Sequence, residues 1–197
     1  MKKITALLFF KLIVTLNFCF AQQAEANFLN SLQSNQTTFK TNYHKIISES
    51  VYPITIATPL SIAAYSAIKR DSIQFRKSTV IASSILLAGA ISTGLKFGIE
   101  RPRPYVTFPN KVTQLIESGP HSFPSGHTTF AFSTATSLSL QYKKWYVAVP
   151  AFLWASSVGY SRMYLGVHYP SDVAAGMLTG IGSSLLCNYL NKKLFVK

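Results

Sequence analysis

The hydrophobic residues of this chain fall into long uncharged runs that are separated by short polar and basic segments. A helix of a soluble protein carries polar residues on its outer face, but these runs are apolar or small on every face, and Lys96 is their only charged side chain. They approach the roughly 20 residues that an α-helix needs to cross a bilayer. The pattern predicts five membrane-spanning helices, over residues 51–68, 78–99, 128–142, 145–160 and 173–190.

The N-terminal part of the chain has a different character. Residues 1–21 begin with Lys2 and Lys3 and continue as an apolar run, which predicts a signal peptide cleaved after Ala21 or, alternatively, an uncleaved first span. Residues 22–50 are polar with scattered aromatics and predict a loose or amphipathic helical segment at the surface, with His44 solvated and no part in the chemistry. Residues 51–197 then form a single all-α domain, a membrane helical bundle of five spans plus that N-terminal signal or sixth span.

The basic residues orient the predicted helices. Only 13% of the residues are charged, yet the net charge is +13. A nucleic-acid-binding protein would cluster such charge on one element, whereas here it flanks the apolar runs, so nucleic acid is not the expected partner. Alternate loops and the tail hold nine of the 19 basic residues: Lys69, Arg70, Arg76 and Lys77; Lys143 and Lys144; and Lys192, Lys193 and Lys197. By the positive-inside rule these ends are cytoplasmic, so loops 100–127 and 161–172 share the opposite, periplasmic face.

Acidic residues and cysteines are too few and too dispersed for several kinds of site. The six acidic residues are scattered along the chain, whereas a two-metal phosphatase needs several carboxylates to hold its ions. Cys19 and Cys187 lie in apolar runs and form no metal-binding pair. The sequence therefore predicts a site with no metal and no cofactor.

Three short polar segments fall on the predicted periplasmic face. They are Lys96-x6-Arg103-Pro104, Pro124-Ser125-Gly126-His127 and Ser161-Arg162-x5-His168-x3-Asp172. Phosphoryl transfer depends chiefly on positioning and on neutralising the charge of the phosphoryl oxygens. Lys96, Arg103 and Arg162 supply three cations for that purpose, so together the three segments predict a phosphate site.

The histidines of these segments have distinct predicted roles. His127 follows Ser125 and Gly126 at the start of a predicted helix, where free backbone N–H groups, a glycine and a hydroxyl favour an anion. Asp172 lies four residues after His168, so its carboxylate can orient the imidazole and leave the other ring nitrogen free to attack phosphorus. His127 is then available as the general acid that protonates the leaving oxygen and later activates water.

The three segments, in this order and on one face, resemble the type 2 phosphatidic acid phosphatase family, which includes bacterial acid phosphatases and vanadium haloperoxidases. The resemblance covers residues 96–172 by motif and extends to residue 190 through the helix pattern. It implies the same roles for the two histidines and the carboxylate, and a phosphohistidine intermediate. Arg101 and His121 are off the motif spacing; we predict a headgroup or surface contact for Arg101 and a solvated side chain for His121.

The sequence and the resemblance together predict a metal-independent phosphatase of the bacterial inner membrane. Its expected substrate is a lipid-linked phosphate monoester or diphosphate, reached from the periplasmic face. A periplasmic acid phosphatase that acts on soluble phosphomonoesters is the main alternative, disfavoured by the uncharged helices. A vanadium haloperoxidase is less favoured because the loops are short, and a non-catalytic headgroup-binding protein would require a broken motif.

Overall fold

The computed structural model describes residues 22–195, which contain helices and loops and no β-strand. The all-α class predicted from the sequence is confirmed; the signal peptide or first span predicted for residues 1–21 lies outside the described residues. The helices are α1 (residues 22–33), α2 (Thr38–Glu49), α3 (Val51–Lys69), α4 (Ser72–Ile99), α5 (Pro104–Thr107), α6 (Gly126–Tyr142), α7 (Trp145–Tyr164) and α8 (Pro170–Phe195).

Each of the five predicted runs lies within one long helix, and local capping explains where two of these helices begin. The Asp71 side chain accepts hydrogen bonds from the backbone N–H groups of Ile73 and Gln74, at 2.9 and 3.1 Å, and so caps α4. Helix α8 begins at Pro170, since the missing proline N–H costs nothing in a first turn. The first turn of α8 therefore includes Asp172.

Three stretches of the described residues are long and apolar enough to cross a membrane: Thr38–Lys69, Ser72–Thr107 and Pro170–Leu194. The predicted count of five spans is thus not confirmed, since α6 and α7 are not among these stretches. Apolar side chains nevertheless point outward along the bundle; Leu86 is 74% exposed, Leu153 65% and Leu178 66%. Such an outer surface suits lipid better than water.

Helix α6 lies at the centre of the bundle, where it packs against α3, α4, α7 and α8. Its contact with α8 is close, because a Cβ atom added to Gly180 would lie 2.4 Å from the Thr129 carbonyl oxygen. Buried hydroxyls join the same two helices, with Ser137 donating to Ser184 over 3.0 Å. Small residues thus allow the two helices to pack closely, and buried hydroxyl groups form hydrogen bonds with one another between them.

Four helix ends lie close together at one end of the bundle. The C-terminal ends of α4 and α7 meet the N-terminal ends of α6 and α8 there, as the contact of Lys96 with the loop before α6 shows. The predicted cytoplasmic residues lie at the opposite ends of the same helices, where Lys77 of α4 stacks over Tyr142 of α6 at 4.5 Å. The three polar segments therefore converge at the end away from these basic residues.

The segment at residues 22–50, predicted to be loose or amphipathic helical and to lie at the surface, is helical, and most of its residues are exposed or half-buried. These residues form two helices, and Leu29 is fully buried. Gln33 donates to the carbonyl oxygens of Thr113 and Tyr164, both at 2.9 Å. His44, predicted to be solvated, is half-buried, with its ring 4.2 Å from that of Tyr164. Some polar side chains of this segment therefore bind loops of the bundle, while most of the segment remains exposed or half-buried.

Candidate active site

A cavity of about 350 Å³ opens at the end of the bundle where the four helix ends meet. Its volume is in the range of small-molecule sites. Six of the eight predicted site residues line it: Lys96, Arg103, Gly126, His127, Arg162 and His168. All three sequence segments therefore contribute to one cavity, and both predicted catalytic histidines face it. Asp172 and Ser125 are fully buried behind its wall.

His168 and Asp172 are neighbours on the loop and first turn of α8. His168 Nδ1 lies 3.7 Å from Asp172 Oδ2, and this nitrogen has no hydrogen-bond partner among the described residues. The predicted pairing is therefore a close contact that is longer than a hydrogen bond. On the other side of the ring, Nε2 lies 3.4 Å from Arg103 Nη1, a weak contact that leaves Nε2 as the acceptor. This arrangement favours the tautomer that carries its proton on Nδ1.

The Asp172 carboxylate is held by several other donors. Arg101 Nη1 donates to Oδ1 over 2.7 Å, and the Tyr169 backbone N–H donates to Oδ2 over 2.9 Å. The Ser122 hydroxyl also donates to Oδ2. A fully buried carboxylate is stable only when its oxygens are paired in this way. Its orientation toward His168 is therefore fixed by the surrounding loops.

Three cations border the cavity, each held by backbone or hydroxyl oxygens. Lys96 Nζ donates to the carbonyls of His121 and Pro124 at 3.0 and 3.1 Å, and Arg103 Nη1 donates to the Val167 carbonyl at 2.6 Å. Neutral acceptors fix these side chains without cancelling their charge. The cavity is consequently a positive site that suits a tetrahedral oxyanion.

Arg162 completes this set of cations. It is 3% exposed, and its Nη1 donates to the Ser48 hydroxyl of α2 over 2.6 Å. Its Nε has no hydrogen-bond partner within residues 22–195. A buried guanidinium N–H without an acceptor is costly, and an oxyanion in the cavity would relieve that cost.

Gly126 and Ser125, the two residues before His127, make different contacts. Gly126 begins α6 and lines the cavity, which agrees with the predicted close approach of an anion. The Ser125 hydroxyl instead bonds with Thr128 Oγ1 at 2.9 Å. The Ser125 hydroxyl is thus engaged within the protein, and its contact with phosphate stays a prediction. Ser125 holds helices together, since its backbone N–H donates to the Asp172 carbonyl at 3.0 Å.

The surroundings of the cavity lower the pKa of both histidines and so favour the neutral imidazoles. The pKa of His127 is lowered from 6.5 to about 2, first by burial and then by the charge of Arg162 and the other cavity cations. Burial likewise lowers the pKa of His168 to about 3, although the nearby Asp172 opposes this. A bound phosphate would offset the positive field and favour the protonated imidazole.

Sequence reasoning missed four residues around this cavity. Arg101, expected at the surface, has a side chain that is only 14% exposed and pairs with both Asp172 and Glu25. The expectation was wrong because motif spacing describes only the cavity wall, and Arg101 lies behind it. Ser48 lies in α2 and Tyr52 in the first turn of α3, and Tyr52 packs edge-on against the His127 ring with centroids 4.9 Å apart. No local pattern marks either residue.

Comparisons with known proteins identify the family and the fold of the chain. The profile of the PAP2 superfamily matches residues 77–195. An undecaprenyl-diphosphatase of Sulfolobus acidocaldarius is 35% identical over 118 residues, which are 57% of this chain and 56% of that protein. A lipid A 4'-phosphatase of Bacteroides thetaiotaomicron is 36% identical over 76 residues, 39% of this chain and 34% of that protein. The chain thus covers only part of the length of these relatives.

A solved structure supports the fold over the whole length. The crystal structure of the first transmembrane PAP2 type phosphatidylglycerolphosphate phosphatase from Bacillus subtilis has a TM-score of 0.71 and 22% identity. The superposition covers 98% of each chain. At this identity the likeness concerns the fold alone. It includes the N-terminal helices that lie outside the profile match.

Proposed function

Because this chain belongs to the PAP2 superfamily, we propose that it is a membrane phosphatase that hydrolyses a lipid-linked phosphate monoester or diphosphate through a phosphohistidine intermediate. The observation that carries the proposal is the cavity itself, into which two neutral imidazoles and three cations converge from separate helix ends. No carboxylate within residues 22–195 forms an ion pair with those cations. An oxyanion of the substrate is the natural counter-charge.

The first half-reaction forms the covalent intermediate. The phosphoryl oxygens bind Lys96, Arg103 and Arg162, which neutralise their charge. Arg103 Nη1 turns from His168 Nε2 to a phosphoryl oxygen, and the freed Nε2 lone pair attacks phosphorus. The N–P bond forms as the P–O bond to the leaving group breaks, and imidazolium His127 gives its proton to the leaving oxygen. His127 gains that proton as the bound oxyanion offsets the surrounding cations.

The second half-reaction releases phosphate. Water enters the cavity, and neutral His127 accepts a proton from it as the water oxygen attacks phosphorus. The N–P bond breaks, and its electron pair returns to Nε2 of His168. Asp172 stabilises the positive charge that the imidazole carries while it is phosphorylated. Inorganic phosphate then leaves, and the cavity regains its starting protonation.

The surroundings of the cavity favour a lipid as the leaving group. The exposed side chains along the bundle are apolar, and Tyr52, which borders the cavity, is half exposed. A phosphate headgroup can therefore enter the cavity while its hydrocarbon chains remain beside the helices. The relatives that are named for undecaprenyl diphosphate and lipid A support this substrate class.

The charge distribution supports a bacterial inner-membrane protein with a periplasmic site. The basic loops and the cavity lie at opposite ends of the bundle, and the end that carries Lys143, Lys144, Lys192 and Lys193 is cytoplasmic by the positive-inside rule. The cavity then faces the periplasm. Labelling of single cysteines at either end of the bundle in intact cells tests this orientation.

The experiment that tests the proposed activity is a phosphate-release screen of the purified protein in mixed micelles with EDTA. The panel contains undecaprenyl diphosphate, lipid A phosphates, phosphatidic acid, phosphatidylglycerophosphate and p-nitrophenyl phosphate. Release from at least one lipid, lost in His168→Ala, is the expected result. Release from the soluble ester alone would support an acid phosphatase, and EDTA-sensitive release would contradict the mechanism. Vanadate-dependent halide oxidation would indicate a haloperoxidase.

A further inference from the structure

We infer that Arg101 is a positioning residue for the Asp172–His168 pair, and that Glu25 of the N-terminal helix α1 holds Arg101 in place. This inference rests on the proposed function, since it assigns a role in the same reaction. It extends the active site to residues 22–33, which lie outside the profile match. Arg101 does not line the cavity, so its effect must pass through other residues.

Arg101 contacts the first turn of α8 on several sides. Its Nη1 donates to Asp172 Oδ1 and to the Ser171 hydroxyl, each at 2.7 Å. Its guanidinium carbon lies 3.9 Å from the centre of the Tyr169 ring. A planar guanidinium that is both stacked and doubly hydrogen-bonded has little freedom to move. The carboxylate that it holds has little freedom either.

The position of this carboxylate decides how His168 is oriented. With Oδ1 fixed by Arg101, Oδ2 is turned toward His168 Nδ1, 3.7 Å away. Ser122 couples to the same arrangement, because its hydroxyl donates to Oδ2 while its backbone N–H donates to the Arg101 carbonyl at 2.8 Å. Loss of the Arg101 side chain would free Asp172 to rotate. His168 would then lose its preference for the tautomer that exposes the Nε2 lone pair.

Glu25 supplies the counter-charge on the outer side of Arg101. Its Oε2 accepts from Arg101 Nη2 at 2.9 Å, and its Oε1 accepts from the backbone N–H of Ser171 at 2.7 Å. One carboxylate thus binds both the guanidinium and the N-terminal turn of α8, where a negative charge is favourable. Both Arg101 and Glu25 are largely shielded, at 14% and 18% exposure of their side chains. Such shielding strengthens the ion pair relative to one at the surface.

A purely structural role for this cluster is the competing interpretation. Under it, the ion pair would serve only to dock α1 against the loops. The chain offers a matched contact for comparison, because Lys111 Nζ donates to Asn27 Oδ1 at 2.8 Å. This bond also joins α1 to a loop, but it does not touch Asp172. Lys111→Gln therefore weakens docking without disturbing the carboxylate.

The kinetic test compares Arg101→Gln, Arg101→Lys and Lys111→Gln on the lipid that wild-type protein hydrolyses. Loss of an outer-shell partner commonly lowers activity by about 10- to 100-fold. We expect Arg101→Gln to lower kcat by that factor with KM within about threefold, and Arg101→Lys to recover part of the loss. Lys111→Gln should resemble wild type. Equal losses in Arg101→Gln and Lys111→Gln, or a loss confined to KM, would overturn the inference.

A second readout does not need activity. The chain has four histidines, so ¹⁵N-histidine labelling gives few ring-nitrogen signals, and those of His168 are assigned by their loss in His168→Gln. We expect a proton on Nδ1 of His168 in the wild type and mixed tautomers in Arg101→Gln. An unchanged tautomer would refute the positioning role. If wild-type protein released no phosphate from any substrate, the proposed function would fail while this measurement would still test the positioning role.

Discussion

Replacing Gly176 with alanine is a sharp test of how helix packing sets the active-site geometry. A Cβ atom at this position would lie 2.6 Å from the Ser125 carbonyl oxygen, whereas ordinary contacts begin at 3.4 Å. The obstructing atom belongs to the backbone, so no side-chain rotation relieves the clash. Helices α6 and α8 must therefore separate by about 0.8 Å at this level.

This separation acts directly on the catalytic groups. Asp172 lies one helical turn before Gly176 on α8, and His127 is the second residue of α6, two residues after Ser125. The Ser125 N–H bond to the Asp172 carbonyl, 3.0 Å long, joins the two helices and would stretch. A misplacement of about 1 Å can lower a rate about 100-fold. We therefore expect Gly176→Ala to lower kcat by about 10- to 100-fold.

Gly182→Ala is the matched control on the same helix, because a Cβ atom there meets nothing within 4 Å. Overpacking at Gly176 costs about 1–3 kcal/mol, against a gain of about 1 kcal/mol from the better helix propensity of alanine. The thermal midpoint in detergent should therefore fall or stay constant in Gly176→Ala and should not fall in Gly182→Ala. Full kcat in Gly176→Ala, measured by phosphate release, would refute the reasoning.

Three further predictions concern the cavity. Ser48→Ala removes the acceptor of Arg162 and should lower kcat/KM about tenfold. The control Ser50→Ala removes the acceptor of a tryptophan N–H of α7 and should leave kcat/KM within about twofold of the wild type. Equal effects in the two variants would contradict a role of Ser48 in the site. Because the fold lowers the pKa of His127 from 6.5 to about 2, the unfolded chain binds more protons between these values, so stability without phosphate should fall as pH drops from about 6.5. His127→Gln should make this fall shallower in thermal unfolding, and identical slopes would argue against the shift. Lys96→Met should raise the inhibition constant of orthovanadate about 10- to 100-fold, because the variant loses one charged hydrogen bond to the anion. An unchanged inhibition constant would show that the anion binds away from Lys96.

The sequence was informative where function depends on short segments at helix ends. Two such features are local: the spacing of His168 and Asp172, and the position of Gly126 before an apolar run. Once the helix boundary is known, each feature fixes where its residues lie. The apolar runs identified the five long helices for a similar reason. The absence of charge, however, did not show which of these helices are long and apolar enough to cross a membrane. Helix α6 has 17 residues and buries serine and threonine hydroxyls against its neighbours.

Long-range polar contacts lay beyond the reach of sequence reasoning. Glu25 and Arg101 are 76 residues apart in the chain, and Ser48 and Arg162 are separated by 114. Nothing in the local pattern of residues 22–50 distinguishes side chains that bind buried partners from side chains that face solvent. Those contacts arise only when α1 and α2 pack against the ends of the long helices. The role of the N-terminal segment therefore became visible only in the folded structure.

Phosphorylation of His168 during turnover can be detected by acid-free rapid quenching with a ³²P-labelled lipid phosphate. We predict an alkali-stable, acid-labile phosphoenzyme in the wild type, with the label on a peptide that contains His168, and no label in His168→Ala. Label retained in His168→Ala, or turnover of the wild type without any phosphoenzyme at the earliest quench times, would contradict the account.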